Sequence, residues 1–240
     1  MATRLTFKQI VSSLPVEKHK SDSLWAKILL RRVSFYVAWI AIKLGISAFT
    51  VSMISLVLPL AAFVLFMNLK PLEAIILLNL WLLLDCADGN VARATGGSKM
   101  GDFVDSSSGY IMIGFSFFGL GLYLDLSATV FMGLKTPWFI IIGATTSILG
   151  LMARLYYQKF KNIAAKGNAG LKTDIVHQNS LLKVVDHNIG IGGFFTPILL
   201  IAYYLELLAA ILILYALYTS LYFMGSSIIL LKRSYPKMEN

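Results

Sequence analysis

Three aspartates stand out in a chain that is otherwise apolar. Asp85 and Asp88 lie three residues apart at the end of the apolar run 72–84, so on a continuing helix both project from one face. Asp105 opens the next apolar run. A carboxylate near the centre of a bilayer costs about 2.5–3.5 kcal/mol on the insertion scale, and less towards the interface, so three of them call for a partner. A divalent cation held by carboxylate oxygens neutralises them directly. Mg²⁺ in particular leaves coordination positions open for substrate phosphates and water, and Mn²⁺ accepts the same oxygen ligands. Asp85, Asp88 and Asp105 are accordingly the candidate metal ligands.

The elements that must position these residues are membrane helices. At 240 residues with 58% hydrophobic and 14% charged residues, the chain is too apolar for an ordinary soluble domain and long enough for several spans. The net charge of +9 comes from basic residues that flank apolar segments and form no nucleic-acid motif, so the partner they imply is membrane lipid rather than nucleic acid. Cys86 is the single cysteine, which excludes an internal disulfide framework. The first twenty residues have no short apolar core with a small-residue cleavage site, and no removable signal peptide is expected.

Residues 1–21 read as a polar lead, after which Asp22 or Ser23 can cap a helix towards Lys43. Trp25, Ile28, Leu29, Val33, Tyr36, Val37 and Ile40 recur there at helical spacing opposite Lys27, Arg31 and Ser34, the pattern of an amphipathic helix in the interface plane. Full spans are expected at 47–67, with Pro59 tolerated as a kink, at 72–93, at 101–124 and from Trp138 to about Tyr157. Thr95-Gly96-Gly97-Ser98-Lys99 supplies a loop between the second and third. Arg154, Lys159 and Lys161 close the fourth as an anion-binding cluster, and the polar stretch 162–188, with Lys166, Lys172, His177, Lys183 and His187, reads as a loop. The apolar runs 189–205 and 207–231 complete six spans. The expected fold is an all-α integral membrane protein: a lead and interfacial amphipathic helix over 1–46, six transmembrane helices over 47–231, and a tail over 232–240. Gly143, Ser147 and Gly150 form a small-residue stripe for helix packing, within the chain or between the subunits of a homodimer.

Charge counting orients the bundle. The amino-terminal region carries eight Lys/Arg, the junction around residues 93–99 two, the segment 154–183 six and the tail three, against Lys70 and Lys135 alone on the opposite side. Such a bias places both termini, and the aspartates with them, in the cytosol.

The run Asp85-x-x-Asp88-Gly89-x-x-Ala92-Arg93, followed by Gly101-x-x-x-Asp105 and with Thr95-Gly96 and Ser98 embedded between, resembles the signature of the CDP-alcohol phosphotransferase (phosphatidyltransferase) family of integral membrane enzymes. An Asp-Gly turn between two spans would explain Asp88-Gly89, but not two further aspartates with Ala92-Arg93 and Gly101 at nearly the family spacing. The resemblance implies a CDP-linked donor, CDP-diacylglycerol being one, an alcohol acceptor that attacks its metal-bound phosphates, and release of cytidine monophosphate (CMP). It implies that Asp85, Asp88 and Asp105 hold Mg²⁺ or Mn²⁺, that the small Gly89 and Ala92 let nucleotide approach the helix, and that Arg93 orders the carboxylates or binds phosphate. Thr95, Ser98, Arg154 and Lys159 are the further candidate substrate contacts.

The sequence also departs from the family. The spacing between Arg93 and Gly101 is one residue short, and Gly109 stands where a fourth aspartate, assigned as the base, is expected. The first span opens with Ser47, Ala48, Phe49 and Ser52, without the asparagine that helps bind nucleotide in relatives. Asp102 is the nearest other carboxylate, about 10 Å along a helix from Gly109 on a similar face. Three readings stay open: an acceptor activated by metal or by Asp102, a changed reaction, or a silent relative that binds a CDP-lipid. An ion-coupled transporter is the rival from another class, but it would place its charges near the midplane in repeated halves, whereas these gather at one helix end.

The orientation is checked by cysteine labelling in a Cys86→Ala background. Lys20→Cys and Gly170→Cys are expected to label from the cytosolic side, Lys70→Cys and Lys135→Cys from the other. Labelling of Lys135→Cys and Gly170→Cys from the same side would refute the arrangement.

Overall fold

The computed structural model describes residues 5–16, 22–166 and 187–234. Among these the chain is helical, and five helices are long and apolar enough to cross a membrane. A short α1 (Phe7–Ser12) opens with a capping box in which the backbone N–H of Gln9 donates to Thr6 Oγ1 and the backbone N–H of Thr6 donates to Gln9 Oε1. Its Ile10 is buried against Phe35, Ala38, Val51 and Val91. The lead is therefore partly a docked helix, too short for its periodicity to show in the sequence.

Ser23 Oγ accepts from the Ala26 backbone N–H at 3.2 Å, and a π-helical turn Ala26–Leu30 runs into α2 (Arg31–Lys43). Arg31, Ser34, Phe35, Ala38, Ala41 and Ile42 point inward while Ile28, Leu29, Val33, Tyr36 and Ile40 are exposed. The helix is thus two-faced, but the other way round from the expectation: Arg31 and Ser34, expected on the polar face, turn inward because Asp22 and Asn90 pair with them, and the apolar stripe faces outward. The long helices follow: α3 (Ala48–Met67), α4 (Pro71–Thr95), α5 (Lys99–Leu126), α6 (Trp138–Lys166) and, after a short α7 (Phe195–Tyr204), α8 (Leu208–Ser234). Their starts are built from local chemistry. Ser47 Oγ accepts from Thr50 N, Pro71 occupies the first turn of α4, Ser98 Oγ accepts from Gly101 N, and the Asp125 carboxylate accepts from the backbone N–H groups of Phe139 and Ile140 at the head of α6. The main core gathers Phe66, Leu78, Trp81, Met112, Leu120 and Phe195 between α3, α4, α5 and α7.

The small-residue stripe is used inside the chain. At Gly121 on α5 and Gly143 on α6 the two backbones touch, and a Cβ on either would run into a backbone carbonyl of the other helix, that of Phe139 or Phe117. Ser147 Oγ accepts from Phe118 N at 3.2 Å, and Gly150 packs on Ile113. The stripe thus joins α5 to α6 and carries no argument for a contact between subunits.

The run 189–205, expected as one continuous span, is broken. Turns through Gly190, Gly192 and Gly193 precede α7, whose 10 residues cover about 15 Å, half the hydrocarbon thickness. Glycine's weak helix preference accounts for the break, and the chain's own polar groups satisfy the freed backbone. The Phe194 N–H donates to Asn188 O at 2.8 Å, Ser23 Oγ to Gly192 O at 3.3 Å and Tyr215 Oη to Ile189 O at 2.8 Å. Irregular backbone at membrane depth persists where protein or a cavity surrounds it. The expected loop begins later than the sequence suggests, because α6 continues to Lys166; Lys172, His177 and Lys183 lie outside the described residues, as do Arg4, Lys18, His19, Lys20 and 235–240.

Gly121→Val and Gly143→Val are expected to destabilise the protein by about 1–3 kcal/mol, because the opposing atoms are backbone and cannot turn aside. Thermal unfolding in detergent should show both melting well below wild type. Gly225→Ala, where a Cβ meets nothing within 4 Å, should not fall.

Candidate active site

The start of α3, the end of α4 and the start of α5 enclose a cleft of about 210 Å³. Gly96, at φ +88°, adopts a backbone conformation that favours glycine, and with the Ser98 cap it turns the chain from α4 into α5, both of which pack chiefly on α3. Asp88, Gly89 and Ala92 line the cleft from α4, Gly101, Asp102 and Asp105 from α5, and Ser47, Phe49 and Ser52 from α3, with Gly97 and Ser98 at the turn. Spacing of three and four residues brings each helical set to one face. The small residues leave the cleft its volume.

Asp88 is only 4% exposed and must be hydrogen-bonded to be tolerated there. Ser52 Oγ donates to its Oδ2 at 2.7 Å. Ser55 Oγ donates to Ser52 O at 2.8 Å and shares a 3.2 Å bond with Ser108 Oγ, which also accepts from Trp81 Nε1 at 2.7 Å. One buried polar chain thus ties α3, α4 and α5 together beside the cleft. Asp85 sits on α4 within hydrogen-bonding reach of Asp105 across the helix interface, and its charge interacts with Asp88 and with the opposite charge of Arg154. It does not line the cleft itself. Asp102 and Asp105 are exposed at the mouth.

Arg93 is held by a residue that pattern reading did not single out. Its Nη2 donates to Asn90 Oδ1 at 2.7 Å, and the guanidinium lies over Gly89, where a Cβ would stand 3.3 Å from Nη1. Asn90 Oδ1 also accepts from Arg31 Nη1 at 3.2 Å, while Asn90 Nδ2 donates to Ser34 Oγ at 2.9 Å. Arg31 in turn grips Asp22 through Nε and Nη2 at 2.6 and 2.7 Å. Burial is the largest influence and opposes the Arg31 charge, but the hydrogen bond to Asp22 and the negative groups around it together hold the guanidinium above its ordinary pKa. Asn90 is therefore the junction between the motif helix and the interfacial helix. The available signal was a polar residue inside the motif on a helix otherwise built for burial.

The other candidates are scattered. Thr95 Oγ1 donates to Val91 O on its own helix and lies outside the cleft lining, whereas Ser98 both lines the cleft and caps α5. Lys159 is exposed on α6 and lines neither the cleft nor the larger cavity next to it. That cavity, about 370 Å³, lies between α5, α6, α8 and the irregular segment before α7. Arg154, Gln158, His187, Tyr157, Tyr218 and Tyr222 contribute polar atoms, and Ser106 stands in its wall directly after Asp105. Gly109 is buried, and a Cβ there would lie 2.8 Å from Arg154 Nη1. The place where resemblance expects an aspartate is filled by a guanidinium.

As a cation site the donor set is chemically suitable, all carboxylate oxygen. Among the described residues no three His, Cys, Asp or Glu side chains converge on one point, and the Asp85–Asp105 pair is the set in mutual contact. Two carboxylates completed by substrate phosphate oxygens are an ordinary Mg²⁺ environment.

Fold and site together define an α-helical membrane protein that collects carboxylates at one end of its bundle, around a cleft small enough to hold a headgroup. Its chain belongs to the CDP-alcohol phosphatidyltransferase family, whose model matches residues 46–222. No curated protein matches it. The family is one of transferases in phospholipid synthesis, with a CDP-alcohol as donor and an alcohol as acceptor.

Asp22→Ala leaves the buried Arg31 guanidinium, 7% exposed, without its carboxylate. The expected cost is about 3–5 kcal/mol. Unfolding in detergent should show the loss, and Asp22→Ala combined with Arg31→Met should recover much of it because no unpaired charge remains.

Proposed function

We propose that the protein transfers a substituted phosphate group from a CDP-linked donor, such as CDP-diacylglycerol, to an alcohol acceptor, with release of CMP. The observation that supports this best is the cleft itself, where Asp88, Asp102 and Asp105 face a space kept open by Gly89, Ala92, Gly97 and Gly101 at the meeting of three helix ends. A divalent cation, Mg²⁺ or Mn²⁺, held by carboxylates of the Asp85, Asp88 and Asp105 set and completed by phosphate oxygens would withdraw charge from the phosphoryl centre and stabilise the departing phosphate.

The chain's own groups do the rest. The first backbone N–H groups of α5, exposed beside Ser98, point positive charge density at a donor phosphate. Ser52 holds Asp88 in one orientation. Asn90 fixes Arg93 over Gly89, next to the Asp88 charge, so that the guanidinium flanks bound phosphate. Asp102 shares the cleft with Asp105 and is the carboxylate placed to take the acceptor's proton. The acceptor enters from the larger cavity, where Arg154 meets its anionic portion. Both termini and the cleft face the cytosol, where CDP-linked donors are made available, and the protein works among membrane lipids as a homodimer.

A second reading has its own observation. With Arg154 filling the place beside Gly109, the chain could hold a CDP-lipid without turning it over. Purified protein incubated with Mg²⁺, CDP-diacylglycerol and other CDP-linked donors, and a panel of alcohols, decides by release of CMP. Release is expected from wild type, cut about 10²-fold or more in Asp105→Asn and Asp88→Asn, and reduced in Asp102→Asn by a base's share of about 10²–10⁴. Donor binding with no release from wild type or from Gly109→Asp would establish the silent reading.

A further inference from the structure

We propose that the Arg154 guanidinium occupies the place of a metal ion, so that the carboxylate cluster takes a single divalent cation per chain. The inference rests on the reading of Asp85, Asp88 and Asp105 as a cation site, and concerns how many ions that site accepts.

Gly109 follows Asp105 by one helical turn and shares its face of α5, so a side chain there would project beside the Asp105 carboxylate. Glycine leaves that volume free, and Arg154 reaches into it from α6, its Nη1 2.8 Å from where a Cβ would be. Its charge acts on Asp85, the partner of Asp105 across the α4–α5 interface. The Tyr110 ring lies on the same side, 6.0 Å from Cζ to centroid, at the outer reach of a cation–π contact. Arginine stays protonated under all ordinary conditions, so the charge is permanent.

The charge balance then favours one ion. With a cation bound and the carboxylates ionised, Asp85, Asp88, Asp102 and Asp105 contribute four negative charges, while Arg154 and Arg93, which acts on Asp88, contribute two positive ones. The remaining deficit of two is that of a single divalent cation. A second would leave an uncompensated double positive charge at the head of α5, where the helix dipole is already positive. The donor set agrees, because Asp85 and Asp105 are in mutual contact and no three acidic or imidazole side chains among the described residues close on a point. Arg154 also lines the larger cavity, so this fixed charge stands between the carboxylates and the second space, as a mobile ion could not.

The test counts ions rather than turnover. Purified full-length protein is equilibrated with Mn²⁺ alone, and bound Mn²⁺ is measured per chain by dialysis and spin resonance. One ion is expected in wild type and in Arg154→Lys, which keeps the charge, and none in Asp85→Asn with Asp105→Asn. Gly109→Asp with Arg154→Gln, which exchanges the fixed cation for a carboxylate, should double the count to two; monodispersity and melting in detergent confirm that each variant is folded. Two ions in wild type, lost together in the Asp85→Asn, Asp105→Asn variant, would overturn the inference and leave the metal reading intact. A single ion in the folded exchange variant would overturn it too. No Mn²⁺ on wild type or on the exchange variant would remove the metal reading itself, and the inference with it.

Discussion

The structure depends on keeping a buried carboxylate satisfied. Asp88 is almost fully covered inside a bundle that is otherwise apolar, and the Ser52 hydroxyl is the donor that reaches it from a neighbouring helix. Such a group is tolerated only when hydrogen-bonded, so Ser52 must stay where it is, and α3 must stay against α4. Ser55, Ser108 and Trp81 extend the requirement to α5. Removing any member would strand a polar atom in a dry interface, and this makes the three helix ends a cooperative unit rather than three neighbours. The cleft is the space those pinned ends enclose.

A second polar junction joins this unit to the membrane surface. Asn90 receives Arg93 from its own helix and Arg31 from the interfacial helix, and Arg31 is anchored by Asp22. The motif arginine is thus positioned by a chain of contacts that begins outside the spans. Helix α2 is in this way a buttress for the motif helix. Its buried serine, Ser34, gives Asn90 an acceptor and completes the junction.

Much of this architecture was readable in advance, for physical reasons that differ between elements. The long helices announced themselves because a span needs about twenty apolar residues, whereas the capping by Ser47, Pro71 and Ser98 that sets their starts came from the structure. Asp88, Gly89, Ala92, Ser98, Gly101 and Asp105 could be placed together because helical spacing and a short turn suffice to bring them to one cleft. What pattern could not supply was pairing between distant segments. Nothing along the chain ties Asn90 to Arg31, or Gly109 to Arg154, and only packing brings them together. The interruption before α7 was hidden for another reason, since Ile189, Ile191 and Phe194 keep the run apolar while three glycines abolish its helicity. The glycine–serine stripe was recognised as a packing surface, but the partner helix, α5, had to be seen.

The contact of Gly121 with Gly143 also has a mechanical side. Two helices whose main chains touch have no compressible side-chain layer between them at that point, so α5 and α6, which carry Asp105 and Arg154, form a stiff strut. The glycine-rich stretch 190–193 and α8 wall the larger cavity opposite the strut, and there side chains such as Tyr215, Tyr218 and Tyr222 make the wall. In engineering terms the pair is the fixed jaw of a vice: Asp105 and Arg154 stand on it, and the larger cavity opens against it.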